Sequence, residues 1–319
     1  MTTPHAVAAS DEGRHRADDD ALWNESYYAD FVHEDGSIGG WLRLGLYPNQ
    51  DLAWWTAWIV GPERRGVCSV RYDAPVPPGT GLTSADDRSS VTIDIVEALE
   101  VFRVTARAGA EVVAHPAAAY SDELGLPAAL ELDLTWTTDG TPYHYDLTTR
   151  YEIPCTVEGR VSVDGTTYAI AGQGQRDHSW GVRDWWAFGW CWSSARLDDG
   201  TRIHLADIRI PRSPVAFGYV QTPEGEVHSI TTLSVDEELD PHGFATSATV
   251  SLGCGPSESG EGAGPVGSLS FTLTPIAYGP VLLTNTDDGR TSRFPRAMVH
   301  YRADDGREGS GWIEWNQPQ

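Results

Sequence analysis

The chain has 319 residues, enough for two domains of ordinary size or one large all-β unit, and 40% of them are apolar, so a packed core needs neither a metal nor a disulfide. Its formal net charge of -24 sets 46 acidic residues against only 22 Lys and Arg. Phosphate backbones and anionic lipid surfaces repel such a chain, which argues against nucleic acid and the inner membrane leaflet as partners.

Residues 1–20 are rich in Ala and Asp and lack the basic start and apolar stretch of a signal peptide; their composition predicts a disordered tail and, by default, a cytoplasmic protein. No apolar run nears the ~20 residues that cross a bilayer. Next, Trp23-Asn24-Glu25-Ser26-Tyr27-Tyr28 sets a carboxylate among aromatics, a composition commoner at a barrel edge or plug than in a site. From Trp41 onward strand signals dominate, with Trp54, Trp55 and Trp58 clustered. Val91–Ile95 and Val101–Val104 alternate apolar and polar loosely, and Leu130–Trp136 does so strictly, as half-buried strands should. Asp122–Leu130 is the one candidate for a short helical turn. Asp-Gly pairs at 139–140, 164–165, 199–200 and 305–306 tolerate the positive φ of tight turns and predict antiparallel hairpins. Gly253–Gly267, rich in Gly, Ser, Pro and Glu, reads as an exposed loop. Gly311-Trp312-Ile313-Glu314-Trp315 closes the chain with a second carboxylate among aromatics.

The candidate chemistry concentrates between these strands, in Arg176-Asp177-His178-Ser179-Trp180-Gly181. If a strand runs through it, Arg176, His178 and Trp180 share one face, and Asp177 and Ser179 the other. His178 beside Trp180 is then the better catalytic pair, with a carboxylate supplied from elsewhere. Histidine titrates near neutrality and can shuttle a proton. The competing role is a histidine that locks a corner, with Asp177 in an ion pair with Arg183 or beside Asp184. Just beyond, Trp180, Trp185, Trp186, Trp190 and Trp192 crowd into thirteen residues. Trp190 and Trp192, with Phe188, form a face that suits an apolar ligand and can stabilise a cation, although large aromatics equally fill a β core.

A carboxylate is offered by Arg202-Ile203-His204-Leu205-Ala206-Asp207-Ile208-Arg209, where Leu205, Asp207 and Arg209 share one face. If that face is inward, desolvation would raise the Asp207 pKa, as a general acid requires. Other chemistries are missing from the sequence. There is no Gly-x-Ser-x-Gly elbow, no P-loop and no dinucleotide fingerprint, and the four cysteines and ten histidines show no paired metal-ligand spacing. No cofactor and no metal are expected.

Asp177-His178-Ser179-Trp180-Gly181, preceded by Gly172 and Gly174, resembles the Asp-His-x-Trp signature of the lipocalin-like carotenoid hydratase superfamily, which includes hydroxyneurosporene synthases and, more distantly, Diels–Alderase-type cyclases. The resemblance implies an all-β chain of two consecutive lipocalin-like β-barrel or sandwich domains, placed here at 21–183 and 184–319, and a pocket for an apolar polyene or terpenoid. It also implies that His178 and Trp180 help protonate an alkene. Asp207 falls where that family has its acid, but Leu205 stands where its Tyr would be. The expected function is a cofactor-independent hydratase, dehydratase, isomerase or cyclase acting on a terpenoid- or polyketide-like molecule. His178, Asp207 and Asp177 would be catalytic, and Trp180, Trp186, Phe188, Trp190, Trp192, Arg176 and Tyr28 would bind substrate. The alternatives are a carrier that holds a hydrophobic ligand without turnover, and a cyclase that works by shape alone.

Overall fold

The computed structural model describes residues 7–121, 125–257 and 267–319. It is all-β, with three short 3-10 turns as the helical elements among those residues. Two compact units divide the chain. The first comprises Met1–Ile59, Arg65–Ala114 and Leu124–Asp184; the second comprises Val60–Arg64, His115–Glu123 and Trp185–Gln319.

The first unit closes an eight-strand ring. Strands Gly66–Ala74, Leu52–Val60, Gly39–Tyr47, Trp23–His33, Thr166–Val182, Arg150–Val163, Leu126–Thr138 and Val101–Val113 follow one another edge to edge, and the last pairs back to the first. Closure encloses one face of each of the eight strands, and Ser89–Glu97 and Thr83–Ala85 extend the sheet from Val101–Val113 outside the ring. That face carries Phe31, Leu42, Leu44, Trp55, Leu134, Trp136, Tyr151 and Ile153, all buried in one cluster. The second unit closes in the same way, with Gly189–Leu197 pairing both Arg202–Arg209 and Glu308–Pro318. Its core holds Cys191, Ile203, Leu205, Val250, Phe271, Tyr301 and Ile313.

The strictly alternating segment lies in the Leu126–Thr138 strand, and the two looser ones lie in Ser89–Glu97 and Val101–Val113. Three of the four Asp-Gly pairs make tight hairpins. At Asp164-Gly165 both residues take positive φ, 47° and 80°, directly between the paired Val163 and Thr166. Asp139-Gly140 does not: its flanking strands pair, but residues 139–149 connect them, including the short Tyr143–His144 strand. The expected helical turn at 122–130 is not found where it can be described, because Leu126 onward is strand; residues 122–124 lie outside the described residues. In the expected 253–267 loop, residues 253–257 instead belong to the Ala245–Ser257 strand, and 258–266 lie outside the described residues.

The expectation of a disordered tail fails from Val7 onward. Ala9–Glu12 forms a 3-10 turn, Val7 packs against the first core, and Glu12 is 2% exposed. By composition this segment is too polar to fold alone. It is ordered because Glu12 and His15 find buried partners supplied by the barrel.

Candidate functional site

The motif lies within one strand, Thr166–Val182, held along its length between Trp23–His33 and Arg150–Val163. Glycines allow that close approach: a Cβ at Gly174 would collide with the Asp30 carbonyl, and one at Gly172 with that of Val32. Because the strand is regular, side chains alternate. Directly opposed residues share a face, so Tyr27, His178 and Tyr151 form one row across three strands. Glu25 and Trp180 make the row on one side of it, and Ala29, Arg176 and Ile153 the row on the other. This is the enclosed face, since Tyr27, Tyr151 and Ile153 belong to the core and Trp180 packs against it.

His178 is 1% exposed and engaged at both ring nitrogens. Nε2 lies 3.1 Å from Glu25 Oε1, and Nδ1 lies 3.2 Å from the Tyr151 hydroxyl. Its ring stacks on Tyr27 at 4.1 Å and tilts against Trp180 at 5.2 Å. The Tyr151 hydroxyl continues the chain to Glu12 Oε1 at 2.5 Å, and Arg176 Nη1 donates to the same oxygen at 2.8 Å. At the other end, His15 donates to Glu25 Oε1 from its backbone N–H and through Nδ1, both at 2.8 Å, while its ring stacks on Trp180 at 3.7 Å.

The electrostatics follow from burial against these partners. Burial raises the Glu25 pKa, but hydrogen bonds from His15 and His178 outweigh it and hold the carboxyl below the usual range. For His178 burial wins: Glu25 favours the imidazolium, yet desolvation keeps the ring below its ordinary 6.5 and neutral at physiological pH. Burial, then Glu25, pushes the Tyr27 phenol well up; burial, then Glu12, does the same to Tyr151.

Three contacts, Glu25–His178, His178–Tyr151 and Tyr151–Glu12, each need one proton. Neutral His178 and the Tyr151 phenol bring two. With Glu25 ionised, Nε2–H faces Glu25 and Nδ1 accepts from Tyr151. The Tyr151 hydroxyl is thus shared between two acceptors, His178 Nδ1 and Glu12 Oε1. When that hydroxyl turns to Glu12, Nδ1 is open to a proton from a reaction partner. A buried file in which one hydroxyl serves two acceptors can relay a proton.

Among the described residues, His15, Glu25 and His178 place their ligand atoms within 4.8 Å of one another, a spacing that suits a divalent cation. In the arrangement present, three N–H directions converge on Glu25 Oε1, so the set reads as a hydrogen-bonded carboxylate.

Asp177 occupies the other face of the strand. Its carboxylate pairs with Arg150 at 2.8 Å, and Arg150 also reaches Glu152, which accepts from Tyr145 and Gln175. Tyr28 sits on that face too, donating to Asp30 at 2.8 Å. These two expected site residues are therefore built into a buried polar layer behind the relay.

The remaining expected residues belong to the second unit. Asp207 lies on the core-facing side of its strand, next to Leu205, but its carboxylate is bound to Arg209 at 3.0 Å, and Arg209 also grips Glu237. It is not part of the His178 cluster. Trp190 and Trp192 lie opposite the Cys191 face that forms the second core. Trp190 meets Trp185 and Phe294 and donates to Glu314 at 3.0 Å, while Trp192 lies beside His204. Trp186 donates to the Leu283 carbonyl, and the Phe188 carbonyl accepts from Asn316. This aromatic group packs against its own unit and has no member in the relay.

Of the expected residues, then, the relay face unites His178, Trp180 and Arg176. The sequence reading missed Glu12, His15 and Tyr151 and passed over Glu25. Glu25 carried a signal: it lies two residues from Tyr27, on the same face of the same strand.

No curated protein matches the chain by sequence. Among solved structures, an AttH-like protein from Nitrosomonas europaea is similar over 97% of this chain and 96% of its own, with 14% identity and a TM-score of 0.64. Kievitone hydratase from Nectria haematococca is similar over 93% and 90%, at 11% identity and a TM-score of 0.61. CghA is similar over 93% and 88%, at 10% identity and a TM-score of 0.57. At these identities the likeness shows a shared fold and does not carry the assignment to carotenoid hydratases. The family described as Domain of unknown function (DUF7064) matches residues 8–319, nearly the whole chain, and to that family the chain belongs.

Proposed function

We propose that the chain is an acid–base enzyme acting on an apolar small molecule within the first barrel, as a hydratase, dehydratase, isomerase or cyclase, with His178 as its proton carrier. The observation that carries this reading is the file from Glu25 through His178 and Tyr151 to Glu12, which engages both ring nitrogens of a buried histidine and leaves one hydroxyl shared between two acceptors. Glu25 fixes the ring's tautomer and favours the imidazolium when it forms, as an orienting carboxylate does beside other catalytic histidines. A proton passed to an alkene, enone or hydroxyl leaves positive charge on the substrate. The π faces of Tyr27 and Trp180, both packed against His178, lower the cost of that charge. Return of a proton to the relay from water or from a neighbouring carbon completes addition, elimination or migration. The step needs no redox group, and no cofactor is proposed. The architecture supports the reading: the same fold carries a hydratase in Nectria haematococca, and CghA has been crystallised with Sch210972.

The test begins with native mass spectrometry of protein from its own source, to identify a bound apolar compound. Turnover of that compound is then compared in His178→Asn and Tyr151→Phe. General acid–base catalysis predicts a loss of ~10²–10⁴-fold with binding retained. Turnover surviving both changes would assign the reaction to shape alone. Loss on chelation, restored by a divalent cation, would move it to a metal held by His15, Glu25 and His178.

A further inference from the structure

The Glu12–Arg176 pair is half made. Arg176 is 2% exposed and Glu12 equally buried, yet one guanidinium nitrogen meets one carboxylate oxygen. Among the described residues, Glu12 Oε2 and Arg176 Nε and Nη2 are buried without a hydrogen-bond partner. A planar guanidinium matches a carboxylate through two parallel bonds, and a pair selected only to hold the fold would be expected to use both. The other neighbours of the Arg176 head are the Cys155 thiol, a weak acceptor, and the Phe102 ring at 5.2 Å. An always-charged group with donors to spare thus sits in an aromatic and aliphatic interior, next to the relay.

The segment that delivers Glu12 is held mainly by polar contacts. Arg14 donates to the carbonyls of Pro77 and Gly79 at 2.8 and 2.7 Å, His15 binds Glu25, and Asn49 donates to the carbonyls of Asp18 and Asp20 at 2.7 Å. Among the described residues its apolar contacts are those of Val7 with the core cluster and of the His15 ring with Trp180. Such a strap can leave at little hydrophobic cost.

We propose that Glu12 is an internal stand-in for an acidic oxygen group of the substrate: the ligand is an apolar acid, a carboxylate or an enolised dicarbonyl, whose two oxygens take Arg176 and the Tyr151 hydroxyl once the 7–15 strap withdraws Glu12. The inference rests on the first barrel's interior being the substrate site. It adds that the substrate, on binding, supplies the oxygen that now ends the relay, and that Glu12 competes with it.

Isothermal titration with decanoate and with its uncharged methyl ester tests this on the full chain. Glu12→Ala is expected to bind decanoate at least tenfold more tightly than the wild type does, with no gain for the ester. Adding Arg176→Gln should return decanoate to the level of the ester. If acid and ester tighten equally, the strap is only a steric plug and the proposal falls; it falls equally if neither changes. Should Glu12→Ala not fold, Glu12→Ser, whose side chain is too short to reach Arg176 and Tyr151, is read in the same way. Failure here leaves the relay standing, because His178→Asn tests turnover and not carboxylate affinity.

Discussion

His178 and Asp177 are neighbours in sequence with opposite fates. His178 faces the closed barrel between Glu25 and Tyr151, while Asp177 faces the layer behind and is tied to Arg150. Substitutions should separate them. Asp177→Asn removes one carboxylate from a buried guanidinium and should cost about 3 kcal/mol of stability, read as a lower denaturant midpoint, with the pH dependence of turnover unchanged. Glu25→Gln should do the reverse. It removes the charge that favours protonated His178, so the ring's pKa falls further and any acid limb of the activity profile moves to lower pH. The alternation of the motif was legible in the sequence because it follows from strand geometry alone. The identity of the carboxylate was not. Asp207 has the alternating pattern of an inward acid and lies in an ion pair with Arg209, whereas Glu25 reaches His178 through a pairing of strands 153 residues apart in sequence.

At the level of the element, the Thr166–Val182 strand does the positioning. Its register sets Tyr27 and Tyr151 on either side of His178, and a slip of one residue would turn His178 out and Asp177 in. Gly174 guards that register. Gly174→Ala should force the Asp30 carbonyl, and the Trp23–His33 strand that carries it, away from the Thr166–Val182 strand and destabilise the chain by about 1–3 kcal/mol, measurable by chemical denaturation. Hairpins were readable wherever an Asp-Gly pair joined adjacent strands. At Asp139-Gly140 the same signal marked a longer connection, because turn chemistry reports local φ and not which strands will pair. The tail is ordered for a related reason: polar composition describes a segment's own apolar content and not the buried partners, Arg176 and Glu25, that wait for it.

Across the whole molecule, the all-β architecture was legible from alternation and turn residues. Ring closure was not, since it depends on strands far apart in sequence, such as Gly66–Ala74 with Val101–Val113. The buried relay also couples to stability. His178 has a folded pKa below its ordinary 6.5, so as pH falls below that value the unfolded chain takes the proton first. The stability that neutral His178 contributes is complete above pH 6.5 and is lost as pH falls toward the folded value. Glu25, also lowered, adds a contribution present above its ordinary 4.5 and lost as pH falls through its folded value. Melting temperature should therefore drop on acidification from pH 7 to 5, and His178→Asn should flatten the upper part of that drop. The most direct test of the central claim is a ¹⁵N NMR titration of the histidine side chains, with His178 assigned by comparison with His178→Asn. A buried relay anchored on Glu25 predicts a ring that stays neutral from pH 8 down to pH 6, protonated at Nε2 and slow to exchange with solvent. A ring that titrates near 6.5 and exchanges freely would contradict it.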